Sequence, residues 1–293
     1  MDIGIIGYGE IGTAIHTILK GKKEITIKPW DVNAEKYPNQ GTLESVVQGS
    51  DLLFLCVPSW TLRGVLHSVH RHLKEGVPLI ALSKGIEAET CKTTDTLLQD
   101  LVPGHPVGIL AGPMIAEELI AGKHTTGIIG SVESEVRKLV AKLFRGTTLH
   151  IRGSSDVRGV ALCGVLKNTY VLGLGIADGL DLGINAKGVL VSRAVKEMRL
   201  MVKVLGGKTS TVLGEAGLGD LFTTGESPHS RNHDVGIAIG KNTIGVDLKS
   251  EGTMSIPCFK KLLETELARL PFLHYLIDVT AGNVPAEKIT RFL

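Results

Sequence analysis

Lys167 is the single formal charge in GVALCGVLKNTYVLGLGIA, residues 159–177. If this stretch is helical, the positions three, four and seven away from it are Val160, Cys163, Gly164, Tyr170, Val171 and Leu174, so the ammonium projects from an apolar face. A lysine buried without a partner loses charge and becomes a usable general base near neutral pH. The commoner fate of such a lysine is to snorkel to the surface or to pair with a carboxylate. Lys84, in LSKG, ends a strand, the place where open α/β sheets bind ligands, although a solvated loop lysine would have the same address. In GEAGLGDLFTTGESPHSRN, residues 214–232, a glycine-rich turn carries Asp220, and Ser230, Arg231 and Asn232 open another helix. Arginine and a helix N-terminus together suit a phosphate or carboxylate. A surface ion pair for Arg231 and a helix cap for Asp220 are the alternatives.

A second constellation stands at the start of the chain. Gly7, Gly9 and Gly12 form GxGxxG between an apolar strand, Asp2 to Ile6, and a helical pattern at Ile11, Ala14, Ile15, Ile18 and Leu19. The first glycine permits a tight turn, the second lets backbone approach a pyrophosphate, and the third allows helix to pack on strand. Asp31 follows Gly12 by nineteen residues, near the spacing at which a carboxylate accepts from ribose hydroxyls. That favours NAD, with NADP left open.

These residues need elements to hold them. EITIKPW before Asp31 reads as a second strand, and DLLFLCVP, Asp51 to Pro58, as a third whose continuous apolar run suits a parallel sheet buried on both faces. TLRGVLHSVHRHL reads as a crossover helix, and VPLIALSK, PVGILAGP and TTGIIGS as three more strands. Beyond Ser154 the pattern turns helical, at 156–177, 185–205, 232–240 and 257–269. The expected fold class is α/β: an N-terminal Rossmann-type, doubly wound parallel sheet over residues 1–152 that binds a dinucleotide, and a C-terminal all-α domain over 153–293 that binds substrate. The ligand cleft is expected between them.

Composition excludes several classes. With 293 residues, 43% of them apolar and 21% charged, and a net charge of +2, the chain has no basic field for nucleic acid. Its 36 glycines call for tight turns or close backbone approaches. Cys56, Cys91, Cys163 and Cys258 show no CxxC and no ligand-like spacing with histidine, so no metal site is expected, and free thiols in a reducing, cytoplasmic compartment fit best. MDIGIIG has no basic n-region and is not expected to be a signal peptide. Residues 159–177 are long enough to be weighed as a membrane span, but Lys167, Asn168 and Thr169 at their centre point to a buried core helix. A homodimer is left open.

The stretch GVALCGVLKNTYVLGLGIADGLDLGINAKGVLVSRAVKEM followed by GEAGLGDLFTTGESPHSRN resembles the substrate domain of NAD(P)-dependent glycerol-3-phosphate dehydrogenase. SKGIE, AGPMIAEELIAGKHTT and SEGT fall in the order of that family's motifs. The resemblance implies reversible hydride transfer between a nicotinamide and C2 of glycerol 3-phosphate or dihydroxyacetone phosphate. It implies that Lys167 accepts and donates the proton, that Asp220 and Asn168 orient it, and that Lys84 polarises the reacting oxygen. Ser230, Arg231 and Asn232, with Gly112 and Thr224, would bind substrate, and Glu10, Ile11, Ala116 and Arg231 would join the glycines, Asp31 and Lys84 at the cofactor, with Glu251 closing over it. The family usually carries an aromatic residue at Ile11, a serine at Met114 and often a basic residue where Asp31 and Val32 stand, a departure that weighs against NADP.

Two other readings compete: a reductase of the β-hydroxyacid dehydrogenase superfamily acting on another small phosphorylated or carboxylated substrate, and a nucleotide sensor without chemistry. The SRN segment calls for a phosphate, against the first. Intact Lys167, Asn168 and Asp220 speak against the second.

Overall fold

The computed structural model describes residues 1–243 and 247–293. Seven strands form one sheet in the order β2-β1-β3-β4-β5-β6-β7: β1 (Asp2–Ile6), β2 (Thr26–Trp30), β3 (Leu52–Leu55), β4 (Leu79–Ala81), β5 (Val107–Ala111), β6 (Thr125–Gly130) and β7 (Leu149–Ser154). The chain leaves β1 for β2 on one side and returns to β3 on the other, and this reversal opens a crevice beyond the carboxyl ends of β1 and β3. All neighbours are parallel except β5 and β6, so the sheet is mixed rather than wholly parallel. The expectation of six strands also missed β7, an edge strand whose sequence LHIRGS leaves most of its residues partly or fully exposed and shows no apolar run.

Helices α1 (Glu10–Leu19), α2 (Leu43–Gln48), α3 (Leu62–His70), α4 (Thr94–Leu101), α5 (Ala116–Ile120) and α6 (Ser134–Leu143) cover the sheet. The turn from β1 into α1 depends on its glycines. Gly7 has φ +96, and side chains at Gly7 or Gly12 would overlap the carbonyls of Cys56 and Gly7 respectively.

The second part is helical: α7 (Val157–Gly179), α8 (Gly183–Val204), α9 (Asp220–Glu226), α10 (Arg231–Gly240), α11 (Glu251–Leu262) and α12 (Pro271–Thr280). α7 is long and apolar enough to cross a membrane by length and composition, but its apolar window is entirely buried as the central core helix. Its N-cap Asp156 accepts from Gly159 N (3.0 Å), Lys208 N (2.9 Å) and Thr211 Oγ1 (2.5 Å). α10 crosses α7 closely because glycines face each other there: a Cβ on Gly236 would stand 2.8 Å from the Gly175 Cα. The expected helix 257–269 is instead α11, which starts at Glu251 behind a Ser250/Thr253 capping box, followed by a 3₁₀ turn over Glu264–Arg269. α12 was not expected.

Candidate active site

The crevice widens into a cleft of about 910 Å³ between the sheet and the helices, and every candidate catalytic or binding residue lines it except Gly12 and Gly112. Gly12 lies behind the turn, and Gly112 acts through its carbonyl.

α7 delivers Lys167 from the helical side, where it is 5% exposed. Its Nζ donates to Thr224 Oγ1 (2.6 Å) and lies 3.2 Å from Asp220 Oδ1. β4 delivers Lys84 from the sheet side; its Nζ donates to Gly112 O (3.0 Å) and Asp220 Oδ2 (2.7 Å). Asp220, at the start of α9 and 1% exposed, therefore holds one lysine on each oxygen. Burial brings the Lys167 ammonium down to about 8, with Asp220 opposing the fall and the Lys84 charge adding to it. Burial alone would raise the Asp220 carboxyl, but the two lysines hold it below its ordinary value. An ammonium has three N–H bonds, and each lysine spends two on these neighbours, which leaves one on each for a ligand.

Asn168 makes different contacts from those expected. Its amide donates to Lys84 O (2.9 Å) and accepts from Asn232 Nδ2 (2.9 Å), and Asn232 Oδ1 in turn accepts from Gly252 N (2.8 Å). It fastens the Lys84 backbone to α10 and α11 and makes no hydrogen bond to Lys167. Ser230 caps α10, its Oγ accepting from His233 N (3.2 Å). Arg231 is half exposed at the cleft rim, where it donates to the carbonyls of Asp247 and Lys249.

At the glycine turn the α1 N-terminus has no side-chain cap, and nothing lies within 4 Å of where a Gly9 side chain would stand. Uncapped N–H groups beside open space fit a pyrophosphate. Asp31 directly follows β2; its carboxylate accepts from Tyr8 N (2.7 Å) and Asn33 N (2.9 Å), and Lys36 Nζ lies 3.4 Å away. Burial works against its charge, but these donors and Lys36 hold the carboxyl below its usual range. Glu10, Ile11 and Ala116 lie along the same wall.

Glu251, at the start of α11, accepts from the backbone N of Ser59 (3.0 Å) and from its hydroxyl. Burial pushes its carboxyl up against the pull of these bonds and of Lys167. Trp60, which also lines the cleft, and Ser59, which binds Glu251, were not foreseen. Their one signal was position, directly after β3 at the carboxyl edge of the sheet.

The family model described as the NAD-dependent glycerol-3-phosphate dehydrogenase N-terminus matches residues 39–137, and the C-terminus model of the same family matches residues 156–291. A glycerol-3-phosphate dehydrogenase (NAD(P)+) 2 from Sphingopyxis alaskensis is 31% identical over 100% of this chain and 96% of its own length. One from Agathobacter rectalis is 31% identical over 98% of this chain and 93% of its own. The crystal structure of glycerol-3-phosphate dehydrogenase from Coxiella burnetii superposes with a TM-score of 0.89 at 25% identity, covering 99% of this chain and 97% of that one.

Proposed function

The chain belongs to the NAD-dependent glycerol-3-phosphate dehydrogenase family, and from that premise we propose how its own residues carry out the family's reaction. The protein is an NAD(P)-dependent oxidoreductase that interconverts sn-glycerol 3-phosphate and dihydroxyacetone phosphate. The competing reductase and sensor readings gain nothing from relatives that match along nearly the full chain.

The bound nicotinamide supplies or accepts the hydride. Lys167 takes the proton from the C2 hydroxyl in oxidation and returns it in reduction, and burial brings its ammonium into the range where both forms are populated. Lys84 donates its remaining N–H to the same oxygen and stabilises the charge that develops there. Asp220 and Thr224 orient the Lys167 amine, and Asn168 orients Lys84 through its backbone. Ser230, Arg231 and Asn232 bind the substrate phosphate at the α10 N-terminus, with the Gly112 segment on the opposite side. The Gly7, Gly9 and Gly12 turn, with Glu10, Ile11 and Ala116, holds the dinucleotide, and Glu251 closes over it.

The observation that carries this reading is the sharing of the buried Asp220 between Lys167 and Lys84. The cofactor preferred is NAD, because the charged Asp31 sits where the ribose 2′ position is read and would repel a phosphate there. The division expected at 152/153 falls inside β7, which runs to Ser154; with α7 opening at Val157, the boundary is better placed between residues 154 and 157. A cytoplasmic location is supported by the buried free thiols Cys56 and Cys163, whereas Cys91 and Cys258 weigh the other way. Loss of NADH absorbance with dihydroxyacetone phosphate, and not with dihydroxyacetone, tests the reaction. NADH consumed equally with both would end the phosphate assignment.

A further inference from the structure

The expectation of four free thiols fails at one pair. Cys91 and Cys258, 167 residues apart in sequence, form a disulfide with their Cα atoms 5.2 Å apart. The bond crosses between the two halves of the molecule. Cys91 lies in the segment that follows β4 and carries Lys84; Cys258 lies in α11, the helix that begins with Glu251.

That segment is stiff enough to transmit a constraint. Glu87 N donates to Lys92 O (2.9 Å), Cys91 N donates to Glu87 O (2.9 Å), and Ile86 pairs with Thr93, so the chain from 86 to 93 closes on itself. Arg63 clamps Glu87 from α3. Cys91 has φ 55, a left-handed conformation that a non-glycine residue adopts when its surroundings fix it. Gly85 sits so close under the Glu251 and Ser59 pair that a methyl group there would overlap both side chains. The Lys84 segment, α11 and the turn at Ser59 therefore meet at the mouth of the cleft, and the disulfide joins the first two covalently.

We propose that Cys91 and Cys258 are a thiol–disulfide modification site that fixes α11 and Glu251 against the Lys84 segment and so sets how tightly the cleft holds a dinucleotide. The inference rests on the dinucleotide binding proposed above. In reduction, one thiolate of a small dithiol attacks the disulfide at the Cys91 sulfur. The Cys91–Cys258 bond breaks, the Cys258 thiolate leaves and takes a proton, and the second thiol of the reductant then displaces Cys91. Two electrons have passed to the cysteines, and the reductant is left as its cyclic disulfide. Oxidation by a small-molecule disulfide reverses these steps, returning the two electrons and releasing the protons. Cys56 and Cys163 remain free thiols: neither is paired in the fold, and both are pushed well above the usual thiol range.

The test is thiol alkylation in guanidinium, read by mass, together with NADH binding followed by fluorescence of Trp30 and Trp60, which both line the cleft. After treatment with oxidised glutathione, two cysteines should alkylate, Cys56 and Cys163, and after dithiothreitol all four. Reduction should weaken NADH binding by about three- to tenfold, the scale expected when a preorganised wall is loosened. C258S should bind like the reduced protein and ignore dithiothreitol; if it does not fold, C91S or the reduced wild type makes the same comparison. Four alkylated cysteines after oxidation, equal NADH affinity in both states, or a C258S protein that still responds to dithiothreitol would each overturn the proposal. Neither readout uses substrate, so a failure to reduce dihydroxyacetone phosphate would count against the reaction assigned above and leave this result standing.

Discussion

Lys167 Nζ lies 3.2 Å from Asp220 Oδ1, with both side chains almost wholly buried. The lysine is poised near 8 because burial lowers it and this carboxylate keeps it from falling further. Oxidation of glycerol 3-phosphate needs the neutral amine, so its rate should rise with pH and level off above about 8. Reduction needs the ammonium and should fall as pH passes the same point. In D220N the upward pull is gone while burial and Lys84 remain, so both limbs should move to lower pH and turnover should drop. Profiles measured in both directions decide this; limbs that stay in place in D220N would mean that another group titrates.

K167M keeps an apolar stem of similar length in an apolar helix. Turnover should fall by at least about a hundredfold, as loss of a general acid or base commonly does. NADH affinity should not change, because the glycine turn and Asp31 are untouched. Equal loss of NADH binding and turnover would make Lys167 a structural residue.

D31N retains an acceptor for Tyr8 N and removes the charge. The ratio of kcat/KM for NADPH to that for NADH should rise by about tenfold, since the repulsive element against a 2′ phosphate is lost. An unchanged ratio would place cofactor choice elsewhere on the wall, beside Lys36 or Val32.

The parts of the molecule that the sequence makes legible are those fixed by local chemistry. The run DIGII, the glycine turn and the α1 pattern lie within twenty residues of one another, and each constrains the next. Lys167 was visible as a lone charge in an apolar helix, and its burial follows from the helix being the core. The direction of β6 was not visible, because a strand's own hydropathy does not record which way its neighbour runs. The Asn168 contacts and the Glu251–Ser59 pair join segments 84 and 192 residues apart, and only the folded chain brings their partners together. Cys91 and Cys258 show the same limit: spacing rules read short separations, and theirs is 167 residues.

Arg231 now donates to backbone carbonyls of the 247–249 segment at the cleft rim. In R231A the KM for dihydroxyacetone phosphate should rise by about ten- to a hundredfold, the scale of charged hydrogen bonds worth about 1.5–3 kcal/mol. The low activity on unphosphorylated dihydroxyacetone should barely move. If KM rises equally for both substrates, Arg231 organises the rim and does not read the phosphate.

Gly236 faces Gly175 across the α7–α10 crossing, and a Cβ there would stand 2.8 Å from the Gly175 Cα and 3.0 Å from Ile176 N. These are backbone atoms of the central buried helix, which cannot step aside as a flexible side chain can. G236A should therefore cost about 1–3 kcal/mol, the usual penalty for overpacking a filled interior, and lower the midpoint of urea unfolding. Because α10 carries Arg231 and Asn232 at its start, the same displacement should raise KM for dihydroxyacetone phosphate more than it changes NADH affinity. A midpoint equal to wild type would show that α10 can lift from α7 without cost, and the phosphate site would then have to be held by the Asn168–Asn232–Gly252 bonds alone.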